Sequence, residues 1–319
     1  MTERALITGI AGQDGRLLAR RLLAEGAEVH GVARDPSDPR VPRGVVLHAV
    51  DLRDAEAVRG VLATLQPTHC YHLAALHRSS ESKGDSLEHD AFVFRENLAM
   101  AEAVLFGVAQ TNPSASVVLA GSCQMFGAPA SAPQSEATPF APDNAYALAK
   151  TAACELGRLL RRRGVRVATA ILFQHESELR GSGFLSQRIA RGAAAVARGD
   201  ADAIELGRLD AVVDWLWAED AVDALIRMAR SPEPRDFVVA GGTARTVREL
   251  AELALRFAGV AVEGRVREQP GLVRTDATAG VRAPYVGDAA ALRRALGWSP
   301  TVTVEALVER LVASACARA

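Results

Sequence analysis

Short apolar runs alternate with helix-like patterns through the first half of the chain, and this alternation constrains the fold more than any other feature. Segments such as Ala5–Thr8, Cys70–Leu73 and Val117–Ala120 have the length and apolar content of buried strands. Leucines at helical spacing separate them, as at Leu18 and Leu22. Strands that alternate with helices predict an α/β fold, a Rossmann-type doubly wound parallel sheet with helices on both faces.

A glycine-rich segment lies between the first predicted strand and the first predicted helix. Glycines three residues apart allow a tight turn and the close approach of a pyrophosphate, and the helix start supplies free N–H groups and a positive dipole end. A tight turn without a ligand is the alternative interpretation. We expect a dinucleotide to bind on the residues of this segment, which are Gly9, Ile10, Gly12, Gln13, Asp14 and Gly15.

The end of the second predicted strand bears on the choice of cofactor. An acidic residue there binds the ribose hydroxyls of NAD, whereas an arginine accommodates the phosphate of NADP. Arg34 stands at this point and favours NADP, while Asp35 just beyond it leaves NAD possible. Asp51 and Leu52 follow the third strand and are placed to meet the adenine, although Asp51 also fits the N-cap of the next helix. A cofactor-lining turn is predicted after the fourth strand, at Leu73, Ala74 and Ala75.

Tyr146 and Lys150 are four residues apart, on one face of a predicted helix. An unperturbed tyrosine has a pKa of about 10, too high for a base at neutral pH. We expect the Lys150 ammonium and a positive nicotinamide ring to lower the pKa of Tyr146, so that it can take a proton from a substrate hydroxyl. Ser122, at the end of the fifth strand, is placed to hold that oxygen. An accidental helix pair is the alternative, but the only lysines in this arginine-rich chain are Lys83 and Lys150.

Composition argues against several classes of function. The net charge is −1, which leaves no basic surplus for nucleic acid. The basic run at residues 161–163 falls at a predicted helix end, where cations suit the dipole. No apolar run is long enough to cross a bilayer. The four cysteines lack the spacing of disulfides or of a metal site, so we expect no metal and a cytoplasmic location.

The strand–helix rhythm changes after Leu172, where helical patterns recur between turns that contain Gly and Pro. We therefore expect residues 1–172 to form the dinucleotide-binding Rossmann domain, with segments near 210–242 returning to it. Residues 173–209 and 243–319 are then expected to form a smaller substrate-binding lobe.

The chain resembles the extended short-chain dehydrogenases, and within them the GDP-mannose 4,6-dehydratases. The resemblance rests on the glycine segment with its Gln13-Asp14 pair, on Glu28–Gly31, and on Ile171–Ser177, which is close to the dehydratase pattern ILFNHES. Further matching segments extend it over nearly the whole chain, namely Arg180-Gly181, Leu206-Gly207, Asp214-Trp215, Asp220, Asp236–Val238 and Leu296–Pro300.

This resemblance implies a nucleotide-sugar substrate, with GDP as the nucleotide, and a nicotinamide cofactor beside His175. It also implies that the helices over Asn97–Val108 and Tyr146–Arg162 pair between subunits, which would make a homodimer or homotetramer. Burial of these helices inside one subunit is the alternative. A metal site at His69, His72 and His77 is not expected, because this segment has the pattern of a core strand and a cofactor-lining turn.

Several substrate-binding positions depart from the dehydratase pattern. Such dehydratases carry Thr-Ser-Glu after the fifth strand, and the glutamate is the base that removes the C5 proton. This chain has Ser122-Cys123-Gln124, and an amide cannot act as a carboxylate base. Gln174 replaces the family's asparagine before His-Glu-Ser, and Val213 replaces an arginine that grips the substrate diphosphate. The predicted substrate contacts are Cys123, Gln124, Gln174 and Arg180, together with the arginines that can compensate for Val213, which are Arg188, Arg208 and Arg282.

Oxidation at the sugar C4 needs only the cofactor, Ser122, Tyr146 and Lys150. The sequence therefore favours a nucleotide-sugar 4-epimerase. One alternative is a net oxidoreductase that makes or reduces a 4-keto sugar, and another is a dehydratase that uses a substitute acid or base, such as Cys123, His175 or Glu176. A non-catalytic dinucleotide sensor is a further alternative, but such proteins typically lose the Tyr/Lys pair.

Overall fold

The computed structural model describes residues 3–35, 37–76, 86–269, 272 and 284–318. Two residues singled out in the sequence, His77 and Arg282, lie outside these ranges. The strands are β1 (Arg4–Thr8), β2 (Glu28–Ala33), β3 (Val46–Ala49), β4 (His69–His72), β5 (Ser116–Ala120), β6 (Arg166–Leu172), β7 (His175–Glu176), β8 (Ile204–Leu206), β9 (Val212–Asp214), β10 (Leu216–Trp217), β11 (Phe237–Val239), β12 (Ala244–Thr246) and β13 (Val266–Glu268). The α-helices are α1 (Gln13–Ala24), α2 (Ala55–Leu65), α3 (Leu87–Thr111), α4 (Ala145–Arg162), α5 (Leu185–Arg198), α6 (Ala218–Arg230), α7 (Val247–Phe257), α8 (Ala290–Leu296) and α9 (Val304–Ala317).

Seven of the described strands form one sheet, in the order β11-β6-β5-β4-β1-β2-β3, and all neighbouring pairs are parallel. The strand order reverses between β1 and β4. In a doubly wound sheet, this reversal opens a crevice at the carboxyl ends of the strands, where ligands bind. The predicted Rossmann-type α/β fold is confirmed.

Helices cover both faces of this sheet because their apolar residues recur at helical spacing. Helices α1 and α6 pack on one face through residues such as Leu18, Leu22 and Leu225. Helices α2, α3 and α4 pack on the other face, where Leu62 and Val104 are fully buried. The central strands are buried on both sides, as a parallel sheet requires.

A second core lies among the helices that follow the sheet strands in sequence. Ile189 of α5, Leu250 of α7 and Leu307 of α9 meet there with Trp215. The short strand pairs β8–β13 and β9–β12 border this core. In contrast, β11 pairs with β6 at the edge of the main sheet. The chain therefore returns to the main sheet after β10 and leaves it again before β12.

The structure corrects the interpretation of Asp51 as a helix cap. The N-cap of α2 is Asp54, whose carboxylate accepts hydrogen bonds from the backbone N–H groups of Glu56 and Ala57. Asp51 lies one turn earlier, where its carboxylate accepts from the backbone and side chain of Arg53. An Asp three residues closer to the helix satisfies the free N–H groups first.

The described residues also bear on three features that the sequence argued against, namely a membrane span, a metal site and disulfides. No described helix is both long and apolar enough to span a membrane. No group of three His, Cys, Asp or Glu side chains in the described part of the chain is placed to hold a metal ion. Cys70, Cys123, Cys154 and Cys316 are free cysteines.

Candidate active site

The glycine segment forms a tight turn that packs directly on the loop after β4. Gly9 has φ of +72°, and a Cβ on it would lie 2.7 Å from the backbone nitrogen of Ala74. The N–H of Gly12 donates to the Gly9 carbonyl at 2.9 Å. A Cβ on Gly15 would come within 2.4 Å of that same carbonyl oxygen. Only glycines fit this turn, which brings the free N–H groups at the start of α1 to the switch point of the sheet.

The loop after β4 is held in place by two polar residues that the sequence did not single out. The Thr8 hydroxyl lies 2.9 Å from Nδ1 of His72 and accepts from the N–H of Ala74 at 3.2 Å. The buried amide of Asn97 accepts from the N–H of Leu76 at 2.8 Å and donates to its carbonyl at 3.0 Å. Leu73, Ala74 and Ala75, the predicted cofactor-lining residues, lie between these anchors. The one sequence signal for this anchor was a single Asn in a largely apolar stretch of helix.

At the ends of β2 and β3, one arginine forms no ion pair among the described residues, whereas the two aspartates accept hydrogen bonds. Arg34 is exposed, and among the described residues it forms no ion pair. Asp35 accepts from both the N–H and the hydroxyl of Ser37, at 2.8 and 2.7 Å. Asp51 is bound by Arg53, and Leu52 beside it is buried. The uncommitted guanidinium leaves this edge suited to an anion.

Ser122, Tyr146 and Lys150 come together beyond the end of β5. Ser122 caps the short 3-10 helix Cys123–Phe126 that follows this strand. Asn144 caps α4 by accepting from the N–H of Ala147 at 2.9 Å, which sets Tyr146 in the first turn and Lys150 one turn later. The Lys150 Nζ lies 5.7 Å from the centre of the Tyr146 ring. Lys150 is buried and lines a small internal cavity with His72 and Asn97.

The predicted lowering of the Tyr146 pKa depends on a bound nicotinamide and stays a prediction, because the protein alone shifts this pKa in the other direction. Burial raises the pKa of the Tyr146 phenol, and the neighbouring Cys123 thiol acts in the same direction. The Arg180 charge and the hydrogen bond with Ser122 lower it, but they do not outweigh burial. Burial also lowers the pKa of Lys150 to about 8, so this ammonium is held in a poorly solvated place. A spacing in the sequence cannot reveal how deeply a phenol is desolvated.

Gln124 lies in the 3-10 helix Cys123–Phe126 and contacts Asn144, the N-cap of α4. Its side chain is half-buried, and its Oε1 accepts from the Asn144 amide at 3.3 Å. A carboxamide does not titrate, so this position supplies a neutral polar group. The neighbouring Cys123 is buried, and desolvation raises the pKa of its thiol to about 12. Neither group is a base at neutral pH.

A hydrogen-bond network ties the glycine segment to the residues after β6. The Gln13 amide donates to the His175 carbonyl at 3.1 Å and accepts from the Ser177 hydroxyl at 2.8 Å. Asp14 Oδ2 lies 3.0 Å from Nε2 of His175, whose Nδ1 faces the Phe173 carbonyl at 2.7 Å. Both ring nitrogens therefore meet acceptors, which favours the imidazolium. His175 was predicted to lie beside the cofactor, and the structure places it on the side chains of the predicted cofactor loop.

The ionisation of this pair follows from its contacts. Burial tends to raise the pKa of Asp14, but the charge and hydrogen bond of His175 outweigh it and lower the pKa to about 2. Burial tends to lower the pKa of His175, and Asp14 outweighs that effect, so the pKa is raised. Both shifts favour the ion pair of carboxylate and imidazolium. This contact joins residues that are far apart in sequence.

Glu176 and Arg180 form a second polar group behind His175. Glu176 is buried, its carboxylate accepts from the Ser186 hydroxyl at 2.5 Å, and burial raises its pKa. The Nε of Arg180 lies 3.5 Å from the same carboxylate, and its guanidinium stacks 3.8 Å from the centre of the Phe184 ring. Arg180 is thus close enough to the site to influence Tyr146, while its own position is set by Glu176 and Phe184.

The remaining predicted substrate residues differ in how they are engaged. Gln174 is half-buried, and its Oε1 is enclosed without a hydrogen-bond partner. Arg188 of α5 approaches the Glu205 carbonyl at 3.4 Å. Arg208 is exposed and ion-paired with Asp210 at 3.0 Å. Gln174 is the member of this set whose enclosed acceptor suits a substrate donor, and Arg282 lies outside the described residues.

Comparisons with known proteins agree with this geometry. The sequence model of the family described as GDP-mannose 4,6 dehydratase matches residues 6–311. A GDP-mannose 4,6-dehydratase of Vibrio cholerae is 32% identical, over 97% of this chain and 92% of that protein. The structure of a Thermus thermophilus UDP-glucose 4-epimerase in complex with NAD superposes with a TM-score of 0.82 at 25% identity, over 98% of both chains. The structure of RMD from Pseudomonas aeruginosa in complex with NADPH gives 0.79 at 25% identity, over 99% of this chain and 100% of that one.

Proposed function

The chain belongs to the GDP-mannose 4,6-dehydratase family, and from this premise we propose that it is a nucleotide-sugar 4-epimerase that works by transient oxidation at the sugar C4. The observation that carries the proposal is the pairing of a complete Ser122, Tyr146 and Lys150 group with the carboxamide of Gln124. The first set supports hydride chemistry at C4. In our interpretation of the sequence, this amide replaces the carboxylate with which dehydratases of this type remove the C5 proton.

The glycine turn supports a dinucleotide at the switch point. The Gly9 and Gly15 positions leave no room for a Cβ, and the start of α1 directs its N–H groups outward, which suits a pyrophosphate. We propose NADP as the preferred cofactor and NAD as the alternative, because Arg34 is uncommitted whereas Asp35 is bonded to Ser37. A bound nicotinamide supplies a hydride acceptor and, in the reverse direction, a hydride donor.

Tyr146 is the group that we propose to move the C4 hydroxyl proton. Its pKa is raised by burial, so the phenolate needs the positive charges that meet in the site, which are Lys150 and the oxidised nicotinamide ring. Ser122 holds the C4 oxygen by a hydrogen bond. After oxidation, the keto sugar turns over and Tyr146 returns the proton while the hydride comes back to the opposite face. The cycle is redox-neutral and leaves the C5–H bond intact.

The three described residues considered as substitute bases are poorly suited to elimination. The Cys123 thiol has a pKa of about 12, His175 is ion-paired with Asp14, and Glu176 is bonded to Ser186 behind it. Loss of a general base typically removes about 10²–10⁴-fold in rate. These contacts weigh against a dehydratase with a substitute base. A net 4-keto-sugar oxidoreductase is the competing function, because it needs the same catalytic group.

Product analysis separates these functions. The NADP-loaded protein is incubated with GDP-hexoses and UDP-hexoses in D2O, and the products are identified by NMR. The proposal predicts a 4-epimer without deuterium at C5 and without net change in nicotinamide absorbance. A 4-keto-6-deoxy product with deuterium at C5 would show a dehydratase instead. A stoichiometric change in absorbance would show an oxidoreductase.

Two further properties belong to this proposal. Helices α3 and α4 pack side by side and expose Phe92, Leu148 and Leu159, which supports a homodimer or homotetramer formed through these helices. Light scattering on the purified protein tests this arrangement, because Leu148→Glu should then yield monomers. A reducing cytoplasm is the proposed compartment, in keeping with the free cysteines.

A further inference from the structure

Arg16 is a cation without a partner directly behind the glycine turn. It lies in the first turn of α1, and its backbone N–H donates to the Gly12 carbonyl at 3.1 Å. Its side chain is half-buried, and the Nε atom is enclosed without a hydrogen-bond acceptor. Within the described residues, its guanidinium forms no ion pair. A buried donor without an acceptor is unfavourable, so this one points to a ligand.

The charges around Arg16 explain why no side chain in the described ranges satisfies it. Burial lowers the pKa of the Arg16 guanidinium, and the nearby Arg20 and Arg40 lower it further, whereas Asp38 and Glu178 raise it. Asp38 is already bound by Arg40, through Nε at 2.9 Å and Nη2 at 2.5 Å. Asp38, one of these two carboxylates, is therefore neutralised by a different arginine. The surroundings of Arg16 are those of an anion site whose anion is supplied from outside.

The topology brings Arg16 to the same edge of the sheet as Arg34. Strands β1 and β2 are parallel neighbours, with Thr8 paired to Val32 in register. Arg16 lies in the first turn of α1, which follows β1 after a short loop, and Arg34 comes directly after β2. In a dinucleotide fold, the adenosine ribose lies across this edge, with its 2′ position towards the end of the second strand. The two arginines thus extend from neighbouring elements at this edge of the sheet.

We propose that Arg16 binds the 2′-phosphate of NADP together with Arg34, and that this pair sets the preference for NADP over NAD. This inference rests on the proposed function only for the presence of a dinucleotide in the glycine turn. Arg34 is exposed to solvent, whereas Arg16 extends from a helix and carries an enclosed donor. A phosphate held between two guanidinium groups accepts several charge-assisted hydrogen bonds at once.

Binding measurements test the assignment without an activity assay. Affinities for NADP+, NAD+ and 2′,5′-ADP are measured by calorimetry for the wild type, Arg16→Ala and Arg34→Ala. The matched control is Arg20→Ala, one turn further along the same helix and exposed. Arg16→Ala should weaken NADP+ and 2′,5′-ADP by about 10- to 100-fold, as expected for hydrogen bonds to a charged group, and leave NAD+ affinity unchanged. Arg16→Lys should recover part of the loss.

Each outcome decides between the two claims. The assignment of Arg16 is overturned if Arg16→Ala weakens NADP+ and NAD+ equally, or weakens NADP+ no more than Arg20→Ala does. Circular dichroism and unchanged NAD+ affinity show that the variants are folded. If the wild type binds neither dinucleotide, the proposed function fails instead, because the glycine turn then has no nucleotide.

Discussion

Replacing Asp14 with Asn should destabilise the folded protein by about 2 kcal/mol near pH 5. Asp14 and His175 are 3.0 Å apart, and their side chains are only 22% and 10% exposed. The contact lowers the pKa of Asp14 from 3.8 to about 2. Since one pKa unit corresponds to 1.36 kcal/mol, a shift of nearly two units amounts to about 2 kcal/mol of preference for the ionised carboxylate in the fold. An amide keeps the shape of the side chain and loses the charge.

The pH dependence has a definite sign at each end. The pKa of Asp14 is depressed in the fold, so its contribution is complete above 3.8 and disappears as the pH falls through about 2. The pKa of His175 is raised above 6.5 in the fold, so its contribution is complete below 6.5 and disappears as the pH rises through the folded value. The difference between wild type and Asp14→Asn should therefore be largest from about pH 4 to pH 6 and shrink on the alkaline side.

Urea unfolding at a series of pH values measures this difference. The matched control is Asp210→Asn, which removes an exposed ion pair with Arg208. That change should leave the free energy of unfolding nearly unchanged at any pH, because solvent screens an exposed ion pair. A loss for Asp14→Asn that equals the control, or that stays constant from pH 5 to pH 9, would refute the reasoning.

Two further changes test the anchors of the site. Asp236 accepts hydrogen bonds from two arginines of α4 and from a backbone N–H of β6. Burial favours the neutral acid, but these bonds outweigh it, so the pKa of Asp236 is lowered. Asp236→Asn should therefore cost about 2–4 kcal/mol in urea unfolding, and a loss below 1 kcal/mol would contradict this role. Gly9→Ala should cost more stability than Gly26→Ala and should abolish NADP+ binding. Both glycines have positive φ, but of the two only Gly9 meets backbone atoms within 3 Å. Equal effects of the two changes in thermal unfolding and NADP+ titration would show that backbone strain alone decides.

Local patterns in the sequence predicted most of the fold. Apolar runs located β1, β4 and β5, whose bounds agree to within one residue with the predicted Ala5–Thr8, Cys70–Leu73 and Val117–Ala120. Helix α3 was predicted from Asn97 but begins at Leu87. Its first turns expose Leu87 and Phe92, so they lack the one-sided pattern that a core-facing helix shows.

The site was harder to predict where it depends on contacts between distant segments. The Tyr146 and Lys150 pair follows from spacing within one helix, whereas the Asp14 and His175 pair joins residues on opposite sides of the sheet's switch point. The direction of the Tyr146 pKa depends on burial, which no local pattern contains. Arg16 was not singled out because one more arginine in an arginine-rich helix carries no local signal.

Transient reduction of bound NADP+ is the most direct test of the central claim, which is proton transfer at C4 by Tyr146 in a site without a carboxylate base at Gln124. The nucleotide sugar identified by product analysis is mixed with the loaded protein, and nicotinamide absorbance is followed over a single turnover. Tyr146→Phe should slow this oxidation by about 10²–10⁴-fold without loss of NADP+ affinity, whereas the matched change Tyr71→Phe in the core of the sheet should keep it near the wild-type rate. Oxidation that survives in Tyr146→Phe, or that is lost equally in Tyr71→Phe, would contradict the account.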